Sequence, residues 1–390
     1  MQVCSQRGVI GLGLTRKGCP APVKPIRPAR RAINVVACSA DKQDTRIFRR
    51  TVADSAFWER HRTEDRYTKN LLSMIQSRII MNLYRPLSWV LSVAVVVGLY
   101  ETARDQGTLD PNIFPEFLLA NPQPQMLTSF AVSLLLSART SQSYDRWWEA
   151  RKVWGGILNR VRDVTTQCAV FFPEDQQLLR QACGRWTIAF TRALHAHLQD
   201  NVDVKGHLRD VLSASEMEML LNSQHRVVKS LSVLAEVIKQ APMNPLQQQM
   251  MMTNVQFFYD ALGMCERIYR TPMPLVYTRH TSRFLMIWLT TLPFGLWTQF
   301  HWATIPICLL VGSLLLGIDE IGVQIEEPFG VLPLDAICTR AELDARQVLN
   351  ESGLASEYAE TLVIGEQKHS NGLNGAKQPW EVATKVGASR

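Results

Sequence analysis

The stretch Gln125–Gly155, QMLTSFAVSLLLSARTSQSYDRWWEARKVWG, decides how the rest of the chain is read. It begins apolar, turns small and hydroxylated, then becomes dense in charge and aromatic rings, with no helix breaker before Gly155. Ser129, Ser133, Ser137 and Ser141 recur every four residues, so a helix gathers them into one slowly drifting hydroxyl stripe. Phe130, Leu134 and Ala138 form an apolar stripe beside it. A helix facing hydrocarbon gains nothing from a row of hydroxyls; such a row serves close helix packing or lines a water-filled path. Arg139, Arg146, Arg151 and Lys152 arrive as the membrane-like part ends. The helix is therefore expected to leave a bilayer into a vestibule that attracts anions.

Working outward, three more segments read as membrane spans, giving four at about 86–103, 126–144, 284–300 and 302–320. The first, PLSWVLSVAVVVGLY from Pro86, is short of the roughly 20 apolar residues that usually cross a bilayer. Trp89 and Tyr100 near its ends suit interfacial anchoring. The third, FLMIWLTTLPFGLWTQF from Phe284, carries Pro293 as an expected kink. Residues 146–280 lie between the second and third spans. They read as a helical block, with periodic segments at 176–198, 213–239 (interrupted near Ser223) and 246–269. The expected class is an all-α polytopic membrane protein, with both termini and this block on one side. Charge agrees: Arg139–Arg162 holds six basic and two acidic residues, whereas Glu101–Gln125 holds one basic and four acidic. From 352 to 390 the composition turns Gly-, Asn- and Lys-rich, and disorder is expected.

Seven basic residues and no acid fall in residues 1–40, and they account for the whole formal net charge of +7. The remainder is neutral, so no basic surplus supports binding to nucleic acid. The segment 1–38 is basic, acid-free and rich in Pro and Gly, which reads as an organelle transit peptide with cleavage near Val35–Cys38. The eight cysteines include no CxxC pair, so no zinc or redox motif is legible and buried free thiols are expected. His195 and His197 point to different helix faces, which argues against a shared metal there. No Ser-His-Asp order, glycine phosphate loop or HExxH pattern occurs. Neither an enzyme, a metal site nor a cofactor is expected.

Three ordered blocks carry a resemblance. Arg139–Arg151, RTSQSYDRWWEAR, is similar to the second-helix signature of the bestrophin family, anion channels of five identical subunits around one axial pore. Cys265–Tyr277, with Thr271-Pro272-Met273-Pro274, and Gly317–Gly330, GIDEIGVQIEEPFG, match two further blocks. The resemblance covers about 71–340, is closest to the plant and algal branch, and implies a channel domain over 41–345. It implies a homopentamer in the thylakoid membrane of a chloroplast, with the helical block in the stroma. It also implies a pore neck at Phe130, Leu134 and Ala138. Such apolar rings gate by dewetting. Arg139, Arg146 and Arg151 then attract anions, and Ser133, Ser137 and Ser141 form the small polar stripe. Ala138 stands where other branches usually carry an aromatic ring, which points to larger anions such as bicarbonate or nitrate beside chloride. After Pro328-Phe329-Gly330, the acidic run that holds calcium in animal members is reduced to Asp335. One carboxylate cannot supply the six to eight oxygens of calcium, so calcium gating is not carried over. Asp319, Glu320, Glu326 and Glu327 are expected to pair with arginines. Membrane lipids and inorganic anions are the expected partners. Two rival readings remain: a haem carrier, which needs facing histidines that no span contains, and a non-conducting plastid interaction protein.

Overall fold

The structure is a computed structural model that describes residues 53, 55–64, 67–68, 72, 78–109, 123–199 and 202–370. Every regular element among them is helical. They are α1 (Ser55–Arg62), α2 (Arg78–Asp105), α3 (Gln123–Phe171), α4 (Gln177–Leu198), α5 (Val204–Leu208) and α6 (Ala214–Leu221). After these come α7 (Arg226–Gln240), α8 (Pro245–Arg270), α9 (Leu275–Phe300), α10 (Thr304–Glu326), α11 (Pro328–Val331) and α12 (Leu334–Ser370). The 3-10 turns Glu174–Gln176 and His301–Ala303 join α3 to α4 and α9 to α10.

Local chemistry sets several of these boundaries. Ser213 and Glu216 close a capping box at the start of α6, and Asn244 and Gln247 close another at α8, where Pro245 takes the first turn. The expected interruption near Ser223 is the gap between α6 and α7, and His225 caps α7 by accepting from the Val228 N–H. Gly155 and Gly156 do not end α3, which runs on to Phe171. A Cβ on Gly156 would meet the Phe257 ring at 2.7 Å, so the glycine serves close approach of α8 rather than a turn.

Two apolar cores result. One fills the block formed by the second half of α3 with α4, α7, α8 and α12, around the fully buried Trp154, Trp186, Phe190 and Phe258. The other binds α2, the start of α3, α9 and α10 through Leu83, Leu87, Val132, Leu285, Leu289 and Leu316. Asn82–Asp105 and the 52-residue Leu275–Glu326 are long and apolar enough to cross a membrane. The second stretch turns at His301–Ala303 and yields α9 and α10, which pack together. The expected span at 126–144 is too hydroxylated to meet the same apolar criterion.

One expectation is corrected. The C-terminal tail is not unstructured from 352, because α12 continues to Ser370. Ala355, Glu357, Ala359, Glu360 and Leu362 are good helix formers, and the helix is anchored upstream by the buried Leu334, Cys338, Ala341 and Ala345. Residues 371–390 and the leader at 1–38 lie outside the described residues. Cys168, Cys183, Cys265, Cys308 and Cys338 are buried free thiols, as expected of them.

Candidate functional site

The first half of α3 has two unlike faces. Val132, Leu136, Arg139 and Ser143 are buried against neighbouring helices. On the opposite face Phe130 is 74% exposed and Leu134 59%, and Ser133, Ser137 and Ser141 are exposed with them. The chain thus brings both stripes to a surface that its own packing leaves open. Ser133 Oγ donates to the Ser129 carbonyl at 2.9 Å, so its own helix satisfies that hydroxyl. Ala138 is half-buried. At 3.6 residues per turn, Ser137 and Ser141 fall within about 20° of Phe130 whereas Ala138 falls about 80° away, so the serines sit nearer the middle of the open face.

The arginines separate into two kinds. Arg139 is buried, ion-paired to Asp319 of α10 and bonded to Ser282 of α9 at 3.1 Å. It ties three helices together, and its charge is taken up inside the chain. Arg146 is likewise occupied. Its Nε donates to the Glu326 carbonyl at 3.1 Å, and its terminal nitrogens donate to the carbonyls of Thr271 and Ile268, each at 2.7 Å. These carbonyls lie at or just past the ends of α8 and α10, where a cation complements both the unpaired acceptors and the helix dipoles. Arg151 and Lys152, by contrast, are exposed.

Around Arg146 the three sequence blocks meet. Glu326 accepts from the Met273 N–H at 3.2 Å, which fixes the Thr271–Pro274 turn against the end of α10. Glu149, one turn along α3, pairs with Arg267 of α8. Buried Gly322 of α10 packs beside Thr140 and Ser143 of α3, whose hydroxyls stand 3.8 and 3.9 Å from where its Cβ would be. Glu320 accepts from Asn82 of α2 at 2.9 Å, so the adjacent acids Asp319 and Glu320 of α10 reach α3 and α2. The expectation that these carboxylates pair with arginines holds for Asp319. Asp335, the remnant of the acidic run, accepts from Arg192 at 2.8 Å.

A family model described as Bacterial/Fungal Bestrophin protein matches residues 57–347, most of the chain. The chain is a bestrophin. This bestrophin is 33% identical over 317 residues to the chloroplastic voltage-dependent chloride channel 1 of Arabidopsis thaliana, with 80% of this chain and 77% of that protein covered. It is 34% identical over 224 residues to a voltage-dependent anion channel-forming protein of Nostoc, with 55% and 73% covered. A solved bacterial bestrophin homologue from Klebsiella pneumoniae shares the fold at a TM-score of 0.61 and 24% identity, over 69% of this chain and 98% of that one.

Sequence reasoning expected arginine partners for the Asp319–Glu327 carboxylates but missed that Arg146 tethers the main-chain carbonyls of Ile268, Thr271 and Glu326, which lie 122 to 180 residues away. It also missed His197, His225 and Glu266, whose ligand atoms all lie within 4.8 Å of one another. Residue type alone gave no signal there, since the three come from α4, the cap before α7 and α8.

Proposed function

We propose that this bestrophin is an anion channel of the chloroplast, a homopentamer in the thylakoid membrane that passes chloride and larger anions such as bicarbonate or nitrate. The observation that carries the reading is the open face of α3. It presents Phe130 and Leu134 with a serine stripe, while the opposite face is committed to helices of the same chain. Five copies of that face around an axis make a neck that is apolar at Phe130, Leu134 and Ala138 and relieved by Ser137 and Ser141. Four crossings per chain follow if α3 runs through the bilayer between α2 and the α9–α10 hairpin. The chloride- and anion-channel names of the relatives support the substrate class, and the chloroplastic name of the plant relative supports the compartment.

No carboxylate lies between Met126 and Ser143, so nothing in the neck repels an anion. Arg151 and Lys152, further along α3, raise the local anion concentration without binding one tightly. The neck then excludes ions by the cost of stripping their water. Purified protein in a planar bilayer with chloride on one side and bicarbonate on the other tests the substrate class. A bicarbonate-to-chloride permeability ratio that falls in Ala138→Phe supports the wide inner ring; an unchanged ratio removes Ala138 from the neck.

A further inference from the structure

The described residues hold one group of three potential metal ligands within coordinating reach, and it lies in the helical block, outside the candidate ion path. His197 ends α4, His225 caps α7 and Glu266 stands in the last turns of α8. His197 Nε2 is 2.8 Å and His225 Nε2 3.3 Å from the same oxygen, Glu266 Oε1. The two imidazoles lie against each other with ring centroids 5.0 Å apart. We propose that His197, His225 and Glu266 form a binding site for a divalent transition-metal ion of the zinc class.

Spacing supports this. Ligands of a tetrahedral zinc, at about 2.0–2.1 Å from the ion, stand roughly 3.3–3.4 Å from one another. The His225–Glu266 separation is already at that edge and the His197–Glu266 separation is about 0.5 Å short of it, while all three ligand atoms lie within 4.8 Å of one another, so the set forms if the His197–Glu266 pair widens slightly and any wider separation closes. Two imidazole nitrogens and one carboxylate oxygen suit zinc, copper or cobalt and disfavour calcium and magnesium, which take oxygen. The side chains are 26 to 39% exposed, which leaves a fourth position for water and a route for the ion to enter.

Two contacts must yield. Arg270 reaches Glu266 Oε1 at 3.8 Å, but its side chain is 68% exposed and can turn into solvent. His225 Nδ1 accepts from the Val228 N–H at 3.3 Å, so coordination through Nε2 moves the imidazole proton to Nδ1 and releases that cap. The ion replaces the cap by tying the ends of α4 and α7 to α8. Metal occupancy therefore stiffens the block at the point where α8 leads into the Thr271–Pro274 turn held by Arg146.

The test uses the untagged full-length protein in detergent, stripped with EDTA and titrated with Co2+ and then Zn2+. The expected result is about one ion per chain, visible absorption bands of low-coordinate cobalt that zinc removes, and a rise in thermal midpoint with zinc but not magnesium. His225→Gln and Glu266→Gln should each lower the affinity at least tenfold while elution and helical content stay unchanged. The cobalt spectrum of the unsubstituted protein tests the site even if a variant fails to fold. Absence of those bands at 100 µM cobalt overturns the site, as does full zinc binding by the folded Gln variants, which would leave only a hydrogen-bonded cluster. Because the readout is metal and not current, failure of the channel reading leaves this result unaffected.

Discussion

Arg146 shows what one guanidinium does when three carbonyl oxygens converge on it. Its contacts to Ile268, Thr271 and Glu326 join three helices, and each charge-assisted bond contributes about 1.5–3 kcal/mol before coupling between them is counted. Arg146→Gln is expected to destabilise the solubilised protein by at least about 2 kcal/mol, read as a lowered urea midpoint. Its folded fraction should keep the sign selectivity of the unsubstituted channel. A variant of unchanged stability but weakened anion preference would return Arg146 to the vestibule. Gly156→Ala is a second test at this scale: the added methyl must displace Phe257, at a cost of about 1–3 kcal/mol in a thermal melt. The sequence showed that arginines gather where the apolar run ends, but not which of them are occupied. Charge pattern reports residue type and spacing, and Asp319 stands 180 residues from Arg139. The pairing of Asp319 was legible, because an acid in the last turns of an apolar helix needs a cation nearby.

Helix periodicity was legible in α4, α7 and α8, where a buried stripe alternates with polar residues. It was weaker where two faces serve two environments, as in α3, and where composition misled, as in α12. For α3 the expected outcome is concrete. Phe130 and Leu134 are largely exposed in the chain, so Phe130→Ala with Leu134→Ala should raise leak current in bilayers and change unfolding by less than about 1 kcal/mol. A destabilisation of about 3 kcal/mol or more would instead mark a packed core. The capping box of α6 gives a pH test. Burial alone would raise the Glu216 carboxyl, but the hydrogen bond and charge of Arg185 and the Ser213 N–H outweigh it and hold it below its ordinary value. A depressed carboxylate favours the folded state above its ordinary range near 4.5, and that contribution is lost as pH falls through the folded value. As pH falls from about 5 to about 2, the urea midpoint should fall more in the unsubstituted protein than in Glu216→Gln; equal falls would show that Glu216 is not the group responsible.

At the scale of the whole molecule, the helical block and the apolar helices have separate cores and are joined by α3 and by the junction around Arg146. In the proposed channel this arrangement lets the block hold the neck helix without lining the neck. Sign selectivity should rest on exposed cations, and Arg151 and Lys152 are the pair that α3 offers. Reversing both to Glu is expected to reduce anion over cation preference, and more so at 0.01 M salt, where the Debye length is about 30 Å, than at 0.1 M, where it is about 10 Å. The order among anions should shift far less, because dehydration and not the field ranks ions of equal charge. The number of subunits was an expectation of the family resemblance, which a single chain does not display; the four crossings were read from the apolar segments, of which Asn82–Asp105 and Leu275–Glu326 are long and apolar enough to cross a membrane. The most direct measurement is the reversal potential of purified protein in a planar bilayer under a tenfold potassium chloride gradient. The expected current reverses close to the chloride equilibrium potential. Reversal near the potassium potential, or no current from protein that elutes as a folded oligomer, would contradict it.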